Sequence, residues 1–565
     1  MVFVMPTLGW LMLALAIVWS FRDAWAKSPA PALGWKWWLL LATVLLAFRW
    51  PVLWIKFELN PDESQLIAGA MTLWHDPVFW RSVDGNTAGP LDFYPLMPAG
   101  LFSGLTAYAI ARLTALTVVW GTLLFVGETL AAVANVAVAR IAVLPALAFY
   151  AFTANPDFTH CSTELIPILL LAAAVYAVVR YTIVPSRSWL CFLGVLLGSV
   201  PFAKLQAAPI AAVLGAMFIL HEIAANRTRG LAPLFIGALL PTLTIEAAGL
   251  IFGLNERIII PYLLNNLSYV KSTPFPLGVI VAAQWWNSVA DGYFVRWLVG
   301  VAVFGLLALA CIRTASASLR RFGLAAVVLL AVAITCVLTP RRPFTHYLNL
   351  LSLPLSLIAG IALGMVWQHA SRASRFRQKA FWVGLFFVCT LLPPIVHRTS
   401  GDDRALQFYS AGVTPFTAEL TEVIRSLAAR GEPLAIWGRR CALYVETGLY
   451  QATRQAHSES QIMLGPWQKY FLRCYYEDFR AANPPVFVDA VGPGNFQFQN
   501  RVWAHEAFPP LRAWVQSHYS LVADIGGTRV YARNDRLAAC RTSSSTLPGD
   551  HSPTYHATAP SNVFR

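Results

Sequence analysis

The chain has 565 residues, of which 57% are hydrophobic and 12% charged, and its formal net charge is +14. Soluble domains carry roughly 25% charged residues, and a mean hydropathy of +0.56 is too high for one water-facing core; it requires many segments whose solvent is lipid. The basic balance does not indicate nucleic acid, because most Lys and Arg fall in short gaps between apolar runs, which is the pattern of membrane orientation signals.

A span takes about 20 mostly apolar residues. Twelve candidate runs lie near 2–20, 37–56, 112–133, 141–154, 165–181, 189–203, 207–224, 231–253, 293–312, 322–339, 345–367 and 380–396. Those at 141–154 and 189–203 are short. Every second gap is basic. Arg22, Lys27 and Lys36 follow the first run, Arg140 the third, Arg180 and Arg187 the fifth, and Arg227 and Arg229 the seventh. Arg313, Arg320 and Arg321 follow the ninth, and Arg372, Arg375, Arg377 and Lys379 the eleventh. The positive-inside bias places these gaps in the cytoplasm. The gaps 57–111, 155–164 and 254–292, and everything after about 397, then face outward. The first run lacks a basic start and a clear small-residue cleavage site, so it is read as a span and not as a signal peptide. The expected location is a plasma membrane, the bacterial inner membrane in particular, with the C-terminal part extracytoplasmic.

The first outer loop, about 57–111, opens on Asn60-Pro61, a turn signal. Asp62 and Gln65 then have the spacing of a capping box. A short amphipathic helix is expected to run to about His75, with Leu66, Ala70, Leu73 and Trp74 at helical spacing and a partial apolar face suited to the membrane interface. Asp62 and Glu63 have two compatible readings. They cap the helix and complement its dipole, or a carboxylate fixed there acts as a general base.

Lys204, Arg341 and Arg342 fall at outer ends of spans, against the positive-inside bias. Such cations either snorkel to headgroups or meet an anionic partner. For Arg341-Arg342, followed closely by His346 and Tyr347, a site is the favoured reading. His160 and His346 are equally open to ordinary loop roles. Glu246 lies in the outer half of a span, where a carboxylate is a functional candidate.

Residues 397–540 lose the membrane pattern and read as a small α/β domain. A helix is expected at 416–430 and strands at 432–437, 442–446 and 485–489. A hairpin is expected from 519–524 and 528–532 around Ile525-Gly526-Gly527. No Gly-rich nucleotide loop is present. Residues 541–565, rich in Ser, Thr and Pro, are expected to be disordered. The eight Cys contain no CxxC pair, so a zinc site of the usual spacing is not expected. In the outer part, a disulfide such as Cys441 with Cys474 and free thiols are both open, as they are for Cys161 and Cys540.

A span, then Asp62-Glu63 opening the first outer loop, then a short interfacial helix, resembles the GT-C superfamily of membrane glycosyltransferases. The chain is most similar to the protein O-mannosyltransferase and lipid A aminoarabinose transferase branch, over roughly residues 37–450. The stretches Gly89-Pro90-Leu91-Asp92-Phe93-Tyr94, Ala111-Arg112-Leu113, Phe158 to Leu165, Pro201 to Gln206 and Arg342 to Leu348 follow in the family's order. The first of these lacks the Lys of the aminoarabinose branch. The resemblance implies a polytopic helical protein of about twelve transmembrane helices. It also implies transfer of a sugar from a polyprenyl-phosphate donor to a glycan, lipid or protein acceptor on the non-cytoplasmic face, by inverting displacement. Asp62 would deprotonate the acceptor and Glu63 orient it or the donor. Lys204, Arg341 and Arg342 are the candidates to hold the donor phosphate. His160, Glu164, Gln206, Glu246, His346 and Tyr347 are cavity candidates. The first loop has no Asp-x-Asp metal pair and the resemblance to the aminoarabinose and mannosyl branches implies no catalytic metal, so none is expected; no cofactor is expected either, the lipid-linked sugar being a substrate. The outer domain would handle the acceptor, act as a lid, or simply cover the site. Two other classes remain beside this one: a transporter or flippase of lipid-linked sugars, for which repeats are expected and none are visible, and a non-catalytic envelope assembly protein.

Overall fold

The computed structural model describes residues 4–25, 32–271, 275–372, 376–400 and 415–537. The tail 541–565 and Cys540 lie outside the described residues. Helices stand at all twelve predicted runs. Among the described residues, nine are long and apolar enough to cross a membrane: Val4–Trp25, Trp35–Leu53, Gly104–Val133, Leu165–Ile183, Leu205–Ala224, Ala232–Phe252, Tyr293–Cys311, Ala317–Leu338 and Thr345–Ser371. A tenth is the pair Phe376–Thr390 and Leu392–Thr399, bent by 45° where Pro393 and Pro394 remove backbone donors. The two runs that looked short are short, as Val136–Phe152 and Arg187–Ala203.

Helix Arg187–Ala203 lies backbone against backbone on Ala232–Phe252. A Cβ at Gly194 would stand 2.1 Å from the Leu234 carbonyl oxygen, and one at Gly237 would stand 2.1 Å from that of Cys191. In lipid, where helix association depends on close packing, small residues permit this approach. Gly194→Leu is expected to cost roughly 1–3 kcal/mol by overpacking, read as a lower melting temperature of the detergent-purified protein. An unchanged melting temperature would show that the two helices separate at no cost.

The helix of the first loop is Pro61–His75. Its N-cap is Asn60, whose side chain accepts the Asp62 N–H at 2.9 Å. Asp62 therefore sits in the first turn and is not the cap, because Pro61, with its fixed φ, takes the first helical position. The helix is not an interfacial one either. Every residue from Glu63 to Leu73 is buried. Leu66, Ile67, Ala70 and Leu73 join the core of the membrane helices. Ala68 packs into the core of the C-terminal domain, and the Gln451 N–H donates to Thr72 Oγ1 at 3.1 Å. The domain above covers the face that composition had assigned to lipid headgroups.

That domain holds a five-stranded sheet of β1 (Pro433–Gly438), β2 (Tyr450–Gln451), β3 (Val486–Ala490), β4 (Tyr519–Ile525) and β5 (Thr528–Arg533). The order is β2-β1-β3-β5-β4. β1 is parallel to β2 and β3, while β5 is antiparallel to β3 and β4. The hairpin falls where expected. Gly526 and Gly527 have φ of 50° and 80°, the two positive values a type I′ turn demands. The strand expected at 442–446 is instead the helix Ala442–Thr447, buried throughout and closed by left-handed Gly448. The Gly is a helix stop signal, outweighed in the sequence by apolar, strand-favouring residues before it. Cys161, Cys441 and Cys474 are free thiols.

Candidate active site

The first turn of the loop helix points into a cavity of about 190 Å³ between the membrane helices and the C-terminal domain, with charged side chains from both on its wall. Asp62 lines it. Its Oδ1 accepts from Arg439 Nη2 at 2.5 Å, and its Oδ2 lies 3.9 Å from His346 Nε2. His346 belongs to the 3₁₀ stretch Thr345–Leu351 that opens the late helix. The same ring stands 4.0 Å from Glu164 Oε1 and 4.0 Å from Asp157 Oδ1. Asn60, having capped the helix with its oxygen, donates its amide to Asp157 at 2.8 Å. The loop helix and the segment 155–164 are thus tied together at one point.

Lys204 terminates helix Arg187–Ala203 in an extended conformation and pairs in a β-bridge with Ala88 of the first loop. The Gly89 N–H donates to the Ala203 carbonyl at 2.7 Å beside it. The ammonium group donates to Thr163 Oγ1 at 2.5 Å and to the Glu164 carboxylate. It also lies 5.1 Å from the centre of the Tyr347 ring. Arg342 stacks on Tyr269 at 4.7 Å, and its buried Nε has no hydrogen-bond partner among the described residues. A second cavity, of about 260 Å³ and largely apolar, shares Lys204, Tyr269 and Tyr347 with the first. Leu205, Leu263, Leu267 and Val332 are among its walls.

Charge is concentrated here. Burial works to raise the Asp62 carboxyl, but Arg439, then His346, His160 and Lys204, outweigh it and hold the group below the ordinary range. Asp157 is also opposed by burial and is brought far down by His346, His160 and Asn60. Glu164 is opposed by burial and lowered by Lys204, His346 and Ser162. Each acid is kept ionised by a named cation, which is the condition for a carboxylate that must accept a proton.

The cavity therefore gathers Asp62, Lys204, Arg342, His346 and Tyr347 of the expected residues. Glu164 stands directly behind Lys204. Gln206 lines the apolar cavity and donates to the Cys336 carbonyl at 2.8 Å. The others are elsewhere. Glu63 is fully buried and accepts two bonds of 2.9 Å from Arg112, plus the Leu59 N–H at 3.0 Å. It lines neither cavity. Arg341 has a φ of 48°, uncommon for a residue with a side chain, and lines neither cavity, while its neighbour Arg342 does. His160 lies behind His346, with ring centres 5.9 Å apart, and its Nδ1 faces the Pro156 carbonyl at 2.8 Å. Glu246 lines neither cavity.

Sequence reasoning missed Arg439, Asp157, Thr163 and Tyr269. For Arg439 a signal existed. It directly follows β1, and parallel strands place ligands beyond their carboxyl ends. In the same domain Asp489, His505 and Glu506 lie close enough to share a cation. The Arg529 guanidinium already bonds both carboxylates, at 2.5 Å to Asp489 and 2.7 Å to Glu506, so the cluster is an ion-pair network as it stands.

The described residues thus combine a bundle of membrane-length helices, a loop helix presenting an acidic residue to a cavity, and an α/β domain closing that cavity. The structure matches that of ArnT from Cupriavidus metallidurans bound to undecaprenyl phosphate, at 11% identity and a TM-score of 0.57, over 88% of this chain and 98% of that one. The apo form of the same protein matches at 12% identity and 0.48, over 88% and 98%. The Archaeoglobus fulgidus oligosaccharyltransferase matches at 12% identity and 0.43, over 92% of this chain and 73% of that one. Of these three, the first alone is similar enough to establish a shared fold. No protein-family model and no curated protein sequence matches the chain.

Proposed function

We propose that this chain is a membrane glycosyltransferase that moves a sugar from a polyprenyl-phosphate-linked donor to an envelope acceptor, on the non-cytoplasmic face. The observation that carries this reading is the pairing of two cavities. One carries the charged side chains Asp62, Lys204, Arg342 and Arg439 on its wall. The other is apolar and shares Lys204 with the first. A lipid-linked sugar phosphate has the same division of chemistry. The shared fold with ArnT, a protein seen bound to undecaprenyl phosphate, supports it.

In this reading the polyprenyl chain occupies the apolar cavity and the phosphate lies at its polar end. Asp62 takes the proton of the acceptor hydroxyl. The acceptor oxygen attacks the anomeric carbon, and the bond from that carbon to the phosphate oxygen breaks. The electron pair leaves with the lipid phosphate, whose charge Lys204 and Arg342 stabilise. Displacement from one side inverts the anomeric centre. Glu164 keeps the Lys204 ammonium aimed, and Glu63 acts only by fixing the loop helix.

The test is transfer by the purified protein from polyprenyl-phosphate sugars to envelope acceptors, with products identified by mass spectrometry. Substrate movement across proteoliposomes with no glycosylated product would overturn the reading in favour of a carrier. Arg342→Ala is expected to weaken undecaprenyl phosphate binding by about tenfold, the order of one charge-assisted hydrogen bond. Arg341→Ala is expected to leave it unchanged, since Arg341 lines neither cavity. Equal effects from the two would remove the assigned phosphate role of Arg342.

A further inference from the structure

Arg439 enters the cavity from the C-terminal domain, just past the end of β1, where Gly438 turns the chain with a φ of 101°. Its guanidinium is held unevenly. Nη1 donates to Glu459 Oε2 at 2.9 Å and lies 3.4 Å from Gln497 Oε1. Nη2 donates to Asp62 Oδ1 at 2.5 Å. Nε is buried and has no hydrogen-bond partner among the described residues. A guanidinium grips an oxyanion through two parallel N–H groups, and the Nε–Nη2 edge is such a fork. Here half of that edge is taken by a single oxygen of Asp62 and half is unused. The far side stays tethered to Glu459, so the edge can change partners without moving the group. Arg342 lines the same cavity and also carries an unpartnered Nε. Two guanidinium groups on one cavity, each with an Nε unpartnered among the described residues, suit an oxyanion with several oxygens.

We propose that Arg439 is an exchangeable latch on Asp62: a phosphate oxygen of the lipid-linked substrate takes over the Nε–Nη2 edge, and Asp62 is thereby released to accept a proton. The inference rests on the reading of Asp62 as the general base. It adds that the C-terminal domain regulates that base, and that the phosphate must be in place before the acceptor is activated. Arg439 is a positioning residue in this scheme.

The surroundings of Asp62 show why release matters. Arg439, backed by Glu459 and His457, faces it from the C-terminal domain. His346 faces it from the late helix, with Asp157 and His160 behind. Lys204 lies further off, bound to Glu164, and neighbouring Glu63 is turned away to Arg112. Arg439 is the largest of the influences that keep the carboxyl low. Once it is engaged elsewhere, burial weighs more and Asp62 becomes a stronger base.

The experiment measures undecaprenyl phosphate binding to the full-length protein in detergent by intrinsic tryptophan fluorescence. Wild type is compared with Asp62→Asn, Arg439→Gln and the double variant. Asp62→Asn removes the competing charge and is expected to tighten binding on the order of tenfold, the order of one hydrogen bond to a charged group. Arg439→Gln is expected to weaken it by a similar factor. The double variant is expected to behave as Arg439→Gln, because the tightening requires Arg439. Unchanged or weaker binding by Asp62→Asn overturns the latch. So does tightening seen with inorganic phosphate alone, which would give the edge to another anion. If Arg439→Gln does not fold, the near-isosteric Asp62→Asn variant decides. Loss of sugar transfer in Asp62→Asn with unaltered affinity removes the latch and leaves the base in place. Retained transfer in Asp62→Asn removes the base itself, whatever the binding shows.

Discussion

Asp62→Asn is expected to lower the turnover number for sugar transfer by about 10²- to 10⁴-fold, the usual contribution of a general base. Asn keeps the size of the side chain, the place in the first turn and one acceptor oxygen for Arg439, so the helix and the domain contact survive. What it loses is the ability to take a proton. The pH dependence has a definite sign. The base works when ionised, so activity is present above its pKa and is lost as pH falls through it. Because the cations around Asp62 hold its carboxyl down, the acid limb of kcat/KM in the free enzyme is expected below the ordinary aspartate range. Steady-state transfer measured across pH, on wild type and Asp62→Asn, checks both. A variant that transfers at the wild-type rate shows that Asp62 is not the base.

The membrane part was legible because lipid makes a simple demand. Each crossing helix must be apolar along about 20 residues, and that constraint is written locally. Even the two short helices, Val136–Phe152 and Arg187–Ala203, were visible as short runs. What was not legible depends on contact between distant segments. Pro61–His75 has the composition of an interfacial helix, yet the C-terminal domain buries its outer face. Ala442–Thr447 has strand-forming residues, but it is a helix wedged against that loop helix, and packing overrides local preference.

The site divides in the same way. Asp62 was visible from the turn and capping pattern that opens the first loop, and Lys204 and Arg342 because each is a cation against the positive-inside bias. Arg439 sits in a water-facing domain rich in Arg, where a charge is unremarked, and it reaches Asp62 from 377 positions along the chain. Arg341 and Arg342 are indistinguishable by type. The left-handed turn at Arg341 decides which of the two lines the cavity, and no sequence pattern there announces it.

Glu63 is the sharpest such case, since its sequence context is that of Asp62. Arg112→Met is expected to destabilise the protein by roughly 3–5 kcal/mol, because it leaves Glu63 buried and unpaired. Both side chains are almost fully enclosed, at 1% and 0% exposure. Arg112 also donates to the carbonyls of Val52 at 3.0 Å, Ile55 at 2.7 Å and Phe57 at 2.7 Å. It therefore holds the end of one membrane helix and the start of the loop helix in a single grip. Glu63→Gln keeps an oxygen for Arg112 and is expected to cost less. It is also expected to leave turnover within a few-fold of wild type, whereas a catalytic Glu63 would lose activity on the scale of Asp62→Asn. Melting temperatures in detergent, read beside transfer rates, separate the two. A stable Glu63→Gln protein without activity would return Glu63 to the chemistry. An active one leaves it as the anchor that fixes where the first turn, and hence Asp62, points.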